Sequence, residues 1–271
     1  MSDKLIDIDH LIESKNPKLK KWLPKFVIRY IKRIIHQDEI NAFILKNKHL
    51  KNEEFCLAVI DQFGITISVK GLENLPETGG LIAVSNHPLG GIDAMGLVSV
   101  LQEKRKDIRF IVNDLLLHLE SLQEMLQGVN KHGRNTQDSL KQVDDLFATE
   151  NLVLLFPAGL VSRKIKGKVK DLEWKKTFIS RAVKYQKNVV PIHVDGRLSN
   201  FFYHLAKVRT FFGIKANVEM FYLVDEMFKQ KNRTINIAIG KPISYTFFDN
   251  TMSYAQWAEW VKEQVYSLSE K

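Results

Sequence analysis

The feature that most constrains the fold of this chain is a four-residue apolar run, Leu81–Val84, that ends in a polar turn. The turn contains His87, one proline and two glycines, and it is followed by Asp93 and an apolar pattern with helical spacing. A buried strand, a polar turn and a helix in this order are typical of an α/β sheet, in which ligand sites lie at the carboxyl ends of strands. This stretch therefore predicts both a fold class and the position of a site.

His87 and Asp93 are the candidate catalytic residues of this turn. An imidazole can take a proton from a hydroxyl group, and a nearby carboxylate can orient the ring and stabilise the imidazolium. The alternative is structural, because Asp93 stands at the start of a helical pattern and could cap its first turn. A single histidine at a strand end is also often a hydrogen-bonded structural residue. The two residues alone leave both interpretations open.

The rest of the chain alternates short apolar strands with helical patterns. Strands are predicted at 65–69, 81–84, 108–112, 152–156, 189–194, 218–223 and 234–239. Helices are predicted at 38–48, 53–62, 94–101, 115–126, 136–149, 174–186 and 254–268. This alternation predicts a three-layer α/β domain with a mostly parallel central sheet over residues 51–271, preceded by a helical extension over residues 1–50.

The N-terminal extension contains a basic amphipathic segment. Between Pro17 and His36, apolar residues recur at helical spacing, lysines and arginines fill much of the other face, and no acidic residue occurs. We expect Pro24 to begin or kink the helix. Trp22 and Phe26 on the apolar face would suit the headgroup region of an anionic bilayer. The alternative is a helix packed on its own domain with a solvated basic edge.

Charge and cysteine content narrow the partners and the compartment. The formal net charge of +9 favours anionic partners, such as nucleic acid, an anionic membrane, a phosphorylated cofactor or an acidic protein. The single cysteine, Cys56, excludes an internal disulfide and favours a reducing compartment. No apolar run resembles a signal peptide or reaches the roughly 18 residues of a membrane span. We therefore expect a protein that is soluble or lies on a membrane surface and does not span the membrane.

A second polar turn follows the apolar run at 152–156 and contains Gly159 and Arg163. Glycine lets backbone amides approach a ligand closely, and arginine binds phosphate or carboxylate in a two-pronged geometry. Lysines at alternate positions from Lys164 to Lys170 add positive charge, although each of them is also consistent with a solvated loop. If this turn lies at the same sheet edge as His87, a base and an anion-binding group are adjacent.

Four blocks, in this order, resemble the motifs of the lysophosphatidic-acid acyltransferase family. The blocks are Asn86-His87 with Asp93, Gly128 with Arg134, Phe156-Pro157-Ala158-Gly159 with Ser162-Arg163, and Val190-Pro191-Ile192. The resemblance covers about residues 60–245. It implies an enzyme that moves a fatty acyl group from an acyl-coenzyme A or acyl-carrier-protein thioester to a lysolipid hydroxyl in membrane lipid biosynthesis.

The resemblance also implies residue roles. His87 is the general base and Asp93 is its partner. Acceptor and headgroup binding is associated with Asn86, Gly128, Arg134, Phe156, Pro157, Gly159, Ser162 and Arg163. Backbone amides of the glycine turns are the candidates for stabilising the oxyanion. No metal or bound cofactor is expected, and His118, His132 and His193 lack the spacing of metal ligands.

The chain departs from the family pattern in two places. Five residues separate His87 from Asp93 where the family has four, and the Gly90-Gly91 pair could absorb the extra residue as a bulged turn. In the third block, Ala158 replaces a glutamate and Val161 stands at the position of an arginine. This remodelled block makes an N-acylated amino acid, as in the bacterial aminolipid branch that forms ornithine or glycine lipids, an alternative acceptor to lysophosphatidate.

Two other classes of function compete with the enzyme. A catalytically inactive lipid-binding or membrane-surface protein of the same fold would also fit the two departures. A nucleic-acid-binding protein would fit the charge, but its basic residues should alternate with exposed aromatic residues. Here the aromatic residues fall mainly at core-like spacings, so we expect no nucleic-acid partner. The resemblance implies membrane lipids, a lysolipid acceptor and an acyl thioester as partners, and with the N-terminal helix it predicts a peripheral protein on the cytoplasmic face of the cell membrane.

Overall fold

The computed structural model describes residues 6–15, 22–113, 119–129 and 136–270. The chain forms two compact units, of which one comprises Met1–Leu50 and Ser199–Lys231 and the other comprises Lys51–Leu198 and Asn232–Lys271. We call these the helical unit and the sheet unit. The expected boundary at residue 50 coincides with a boundary between the units. Residues 199–231, which the sequence assigned to the domain starting at residue 51, instead group with the N-terminal residues.

The helices and strands are numbered in chain order. The α-helices are α1 Ile8–Lys15, α2 Lys25–Ile34, α3 Gln37–Lys46, α4 Asn52–Gln62, α5 Gly91–Leu101, α6 Thr136–Ala148, α7 Thr177–Tyr185, α8 Asn200–Phe211, α9 Leu223–Phe228 and α10 Tyr254–Ser267. The strands are β1 Thr66–Lys70, β2 Leu81–Ser85, β3 Ile108–Asn113, β4 Leu126–Val129, β5 Leu152–Leu155, β6 Arg163–Ile165, β7 Lys168–Lys170, β8 Asn188–Val194 and β9 Thr234–Ile239.

A seven-stranded sheet in the order β1–β9–β8–β2–β5–β3–β4 forms the centre of the sheet unit. Neighbouring strands run parallel except for β8 and β9, which are antiparallel. The carboxyl ends of β8, β2, β5, β3 and β4 therefore lie at one edge. The short strands β6 and β7 form a separate antiparallel hairpin. This architecture confirms the mostly parallel α/β sheet expected from the sequence.

Helices cover both faces of the sheet, because its central strands are apolar throughout. Ile82 and Val84 of β2 belong to a buried cluster with residues of α6, α7 and α10, among them Val143, Phe147, Phe178, Ala182, Val261 and Val265. On the opposite face, α5 packs so closely that a Cβ atom on Gly96 would lie 3.4 Å from Cδ1 of Ile67 in β1. The sheet is thus the middle layer of three.

The helical unit joins its two chain segments through side chains. Pro24 immediately precedes α2, which agrees with its expected role at the start of that helix. The hydroxyl groups of Tyr30 and Tyr222 lie 2.8 Å apart. The imidazole of His36 stacks on Phe228 with ring centroids 3.8 Å apart, and its Nε2 lies 3.1 Å from Asp225 Oδ1. These contacts hold α2 and the start of α3 against residues 218–228.

The strand predicted at 218–223 is wrong. Val218–Tyr222 form a 3₁₀ helix that leads directly into α9. The Glu219 side chain of this segment is fully buried and lies 2.8 Å from Arg209 Nε. Helix α8, which supplies this arginine, was not predicted.

The helix predicted at 115–126 is also wrong in its described part. Glu120–Leu122 form a short 3₁₀ helix, and Leu126 begins β4, which pairs with β3. Gly128, predicted in a polar loop, therefore lies within an edge strand opposite Val112. The apolar run has helix-like spacing, but the exposed edge of β3 offers backbone partners that override that local preference.

Candidate active site

The site lies where β2 and β5 end side by side. These strands are parallel neighbours with Val84 opposite Leu155, so the two polar turns that follow them meet at one edge of the sheet. The imidazole of His87 stacks on the ring of Phe156, with centroids 3.9 Å apart and planes 17° apart. The arrangement inferred from two separate apolar runs is therefore present.

His87 and Asp93 form a hydrogen-bonded pair. Nδ1 of His87 lies 2.9 Å from Oδ2 of Asp93, so the five intervening residues preserve the contact. Gly90 has φ 74° and ψ −131°, a conformation open essentially only to glycine, and in this way it absorbs the extra residue.

Asp93 also holds the turn itself. Its Oδ2 accepts hydrogen bonds from the amides of Leu89, at 2.8 Å, and Gly90, at 3.1 Å. Asp93 is the third residue of α5, whose N-cap is Gly90, so it is not itself the N-cap. Its carboxylate binds the two amides that precede the helix and also contacts the imidazole. The Gly90 amide is thereby occupied and is no free donor for an oxyanion.

The electrostatics of the pair suit proton transfer. Burial raises the pKa of the Asp93 carboxyl, while the hydrogen bond and charge of His87 and the Leu89 amide act in the opposite direction. A carboxylate that lacks solvent gains most from a neighbour that becomes positive. The Asp93 carboxylate is therefore placed to stabilise a positive charge on the imidazole.

Nε2 is the ring atom of His87 that can act as a base. A carboxylate accepts hydrogen bonds only, so in the neutral ring Nδ1 carries the proton and Nε2 carries the lone pair. Nε2 has no hydrogen-bond partner within the described part of the chain, and 18% of the His87 side chain is exposed. Phe156 fixes the ring plane from one side and in turn contacts Phe110 edge to face at 5.4 Å.

A buried carboxylate that the sequence did not single out, Asp171, ties the two turns together. Its Oδ1 accepts hydrogen bonds from the His87 amide at 3.2 Å and from the Ser162 hydroxyl at 2.5 Å. Its Oδ2 accepts from Trp174 Nε1 at 2.9 Å, and its own amide donates to the Tyr266 hydroxyl at 2.7 Å. Ser162 closes the link by donating its amide to the His87 carbonyl at 2.8 Å.

Asn86, predicted to bind substrate, joins two strands. Its Nδ2 donates to the Val194 carbonyl and its Oδ1 accepts from the Val194 amide, both at 2.8 Å. The side chain therefore extends the pairing of β2 with β8 beyond the end of β2. Asn86 is buried, and it places the following residue, His87, at the sheet edge.

The predicted residues of the second turn lie beside His87, but most of their polar groups have internal partners. The Gly159 amide donates to the Phe156 carbonyl at 3.0 Å, and the Pro157 carbonyl accepts from the Lys175 amide at 3.1 Å. Nη1 of Arg163 donates to the Val161 carbonyl at 2.6 Å, and this arginine is buried at the start of β6. The amides of Gly90 and Gly159 are therefore both occupied, and neither is free to bind an oxyanion.

The second predicted block is only partly described. Gly128 lies in β4, whose carboxyl end is at the edge of the sheet that holds His87. Arg134 lies outside the described residues, as do His118 and His132. His193 is buried in β8 beside Tyr266, with ring centroids 5.7 Å apart. Among the described residues, no group of three or more His, Cys, Asp or Glu side chains could hold a metal ion.

Comparison with known proteins identifies the family. The family model described as "Acyltransferase" matches residues 10–271. A lyso-glycine lipid O-acyltransferase of Phocaeicola vulgatus is 44% identical over 265 residues, which cover 97% of this chain and 95% of the relative. One of Bacteroides thetaiotaomicron is 44% identical over 265 residues, which cover 97% of each chain. Both match the aminolipid branch.

One solved structure is similar to this chain over most of its length. The crystal structure of the 1-acyl-sn-glycerophosphate (LPA) acyltransferase PlsC from Thermotoga maritima is similar over 91% of this chain and 93% of that chain. The two are 18% identical, with a TM-score of 0.49. The family match over nearly the whole chain, together with the two 44% identical relatives, shows that this chain belongs to the acyltransferase family.

Proposed function

We propose that this protein transfers a fatty acyl group from a thioester donor to the hydroxyl of a lyso-glycine lipid. The observation that carries the proposal is the hydrogen bond between His87 Nδ1 and Asp93 Oδ2, which leaves Nε2 available as a base. The acceptor class comes from the names of the two relatives, each 44% identical over nearly its full length. The altered third block of the sequence, with Ala158 and Val161, fits an acceptor other than lysophosphatidate.

The mechanism follows from the position of the imidazole. Nε2 of His87 removes the proton from the acceptor hydroxyl as the oxygen attacks the thioester carbonyl. The thiol then leaves as the ester forms, and the imidazolium returns its proton to the leaving sulfur. A positioned base of this kind accelerates a reaction by roughly 10²–10⁴-fold. Asp93 keeps the ring in the required tautomer and stabilises its charged form.

We propose that the acceptor binds against the second turn. Phe156 lies against the imidazole, so an acceptor beside this ring would have its hydroxyl close to Nε2. Gly128, Arg134, Pro157 and Gly159 remain the further residues that the family resemblance associates with acceptor and headgroup binding. The donor is either acyl-coenzyme A or an acyl carrier protein thioester, and the net charge of +9 suits both, because each is anionic.

We further propose that the enzyme works at the cytoplasmic surface of an anionic membrane. It is attached through helix α2 and the residues just before it, from Trp22 on, which we call the α2 region. Trp22 is 88% exposed and Phe26 is 71% exposed, and Ile34 is the buried residue of α2. Part of the apolar face of this segment is therefore open, which favours the membrane interpretation over a helix packed entirely on its own domain. No helix in the described ranges is long and apolar enough to cross a bilayer.

Acyl transfer by purified protein tests the proposal. The wild type would be given lyso-glycine lipid or lysophosphatidate in mixed micelles, with a labelled acyl-coenzyme A or acyl carrier protein thioester. We expect label in the diacylated glycine lipid, a loss of at least about 10³-fold in His87→Ala, and near-normal turnover in His204→Ala, an exposed histidine on α8.

Each other outcome has a defined meaning. Transfer to lysophosphatidate alone would replace the acceptor while keeping the mechanism. Equal activity of His87→Ala and the wild type would contradict the base assignment. Absence of transfer from any donor by folded, membrane-bound protein would favour a catalytically inactive lipid-binding protein.

A further inference from the structure

Exposed apolar side chains concentrate in the helical unit, and they occur in both of its chain segments. The large hydrophobic residues exposed there are Leu11, Trp22, Phe26, Tyr30, Leu45, Phe201, Val208, Phe211, Phe212, Ile214 and Phe221. Those in the described part of the larger sheet unit are Leu57, Ile165, Leu172, Phe247 and Tyr254. Clustered exposure of this kind marks an interaction surface.

The most exposed pair stands at the carboxyl end of α8. Phe211 is 85% exposed and Phe212 is 69% exposed, and their rings meet edge to face at 5.3 Å. Gly213, with φ 66°, ends the helix and is followed by Ile214, which is 46% exposed. Two adjacent phenylalanines and an isoleucine in water are an unfavourable surface for a soluble protein.

Hydrogen bonds hold this tip in a defined shape. Arg209 donates from Nη1 to the Ile214 carbonyl at 2.7 Å, and its Nε lies 2.8 Å from the buried carboxylate of Glu219. The amide of Ile214 donates to the Arg209 carbonyl at 3.0 Å. The exposed rings are therefore presented on an ordered turn, and no ordering cost remains to be met when the tip binds a partner.

The charge around the tip points to an anionic partner. No acidic residue occurs from Gly196 to Asn217, and the exposed lysines Lys207 and Lys215 lie on the two sides of the aromatic pair. The N-terminal segment from Pro17 to His36 has the same composition, with exposed aromatic residues and no acidic residue. Aromatic residues flanked by lysines suit an anionic bilayer, where rings enter the headgroup region and ammonium groups contact lipid phosphates.

We propose that residues 207–215 form a second membrane-inserting element, the α8 tip, in addition to the α2 region. The occupant of this surface is an anionic bilayer. Two attachments in one compact unit bind far more tightly than either alone, because the first holds the second at a high effective concentration. They also fix the orientation of the helical unit on the membrane, which a single helix leaves free to rotate.

Partitioning onto vesicles of phosphatidylethanolamine and phosphatidylglycerol tests the α8 tip. In the Phe211→Ala/Phe212→Ala double variant, we expect the partition coefficient to fall about thirtyfold, since each ring loses its apolar contact with the bilayer. A matched double variant on the sheet unit, Leu57→Ala/Tyr254→Ala, should change it by less than about twofold. Both pairs of side chains are exposed, so circular dichroism and the melting temperature should stay unchanged.

Charge variants refine the test. Lys207→Gln/Lys215→Gln should lower partitioning onto anionic vesicles by at least about tenfold and leave the weaker binding to neutral phosphatidylcholine vesicles unchanged. Equal partitioning of the wild type and the phenylalanine double variant would overturn the proposal. So would a shift of that variant from dimer to monomer in gel filtration with vesicle binding retained, because the tip would then contact a second copy.

The outcome is independent of the proposed reaction. His87→Ala should bind vesicles as the wild type does, and the phenylalanine double variant should keep its turnover on acceptor dispersed in detergent. If the wild type binds vesicles through the tip but transfers no acyl group, the proposed function fails and the membrane element stands. If transfer occurs and the double variant binds vesicles normally, the proposed function stands and the proposal for the α8 tip fails.

Discussion

The two turns at the carboxyl ends of β2 and β5 differ in how far along the chain their residues find hydrogen-bond partners. In the first turn, His87 and Asp93 are six residues apart and bond to each other directly. In the second, Ser162 bonds to Asp171 and to the His87 carbonyl, and Arg163 bonds to the backbone of its own turn. The first turn leaves Nε2 of His87, the base that we propose, without a partner among the described residues, and the second mostly supports the first. Matching polar residues at two strand ends therefore do not imply matching roles.

The largest expected effect concerns the first turn. Asp93→Asn keeps the size of the side chain and an oxygen that can accept the amides of Leu89 and Gly90, so the turn should remain folded. We expect kcat to fall about 10²–10⁴-fold, because the amide oxygen can still accept from His87 Nδ1 but carries no negative charge to stabilise the imidazolium. Steady-state kinetics with a saturating acyl donor measures this loss. Near-normal kcat would show that Asp93 only holds the turn before α5, which would erase the difference between the turns.

The next effect concerns the link between the turns. Asp171→Asn replaces one carboxylate oxygen by an amide NH₂ group, which cannot accept a hydrogen bond. At least one of the buried donors from His87, Ser162 and Trp174 therefore loses its acceptor. A buried donor left unpaired costs about 1–3 kcal/mol, which corresponds to a fall of roughly 2–12 °C in melting temperature for a chain of this size. We expect kcat to fall about tenfold with KM unchanged, because Asp171 positions His87 without contacting substrate.

Asp195→Asn is the matched control, since Asp195 lies at the end of β8 and is exposed. Its kcat and melting temperature should equal those of the wild type. A tenfold rise in KM for the acceptor in Asp171→Asn would instead show that Asp171 lies in the acceptor site.

These contrasts explain what the sequence could predict. The sheet strands β2, β3, β5, β8 and β9 were predicted because apolar periodicity is a local property. The His87–Asp93 pair was predicted because both partners lie in one turn. Asp171 was missed because it stands 84 residues from His87 and only the short β6–β7 hairpin returns the chain to the site. Strands of three residues carry no periodicity that a sequence pattern could detect.

The helical unit shows the same limit. Helix α8 was not predicted, although Ser199 is a typical N-cap whose hydroxyl accepts the Phe202 amide at 3.2 Å. Its exposed phenylalanines obscure an amphipathic pattern, because the apolar residues fall on the outer surface as well as the inner one. The same exposure that hides the helix from periodicity analysis is the basis of the membrane contact that we propose for it.

A smaller effect separates a supporting role from a binding role at Ser162. Ser162→Ala removes one hydrogen bond to Asp171, and we expect a loss of about 1 kcal/mol, or roughly 2–4 °C in melting temperature, with KM for the acceptor unchanged. Ser99→Ala is the matched control, because Ser99 is also buried and its hydroxyl donates to the Gly96 carbonyl within α5. If Ser162 contacts the acceptor, as the family resemblance implies, KM rises in this variant and stays constant in the control.

The smallest effect tests the buried surroundings of the site. Burial lowers the pKa of His193, although Asp195 and Asp171 act in the opposite direction, so the folded protein keeps this ring neutral where the unfolded chain already protonates it. Above pH 6.5 the ring is neutral in both states and costs no stability. Below that value the free energy of unfolding decreases as pH falls, by at most about 1.4 kcal/mol per pH unit. The melting temperature of His193→Gln should therefore fall less steeply between pH 7 and pH 5 than that of the wild type. His204→Gln, at an exposed position, should follow the wild-type slope. Equal slopes for all three proteins would show that unfolding does not make the His193 imidazole easier to protonate.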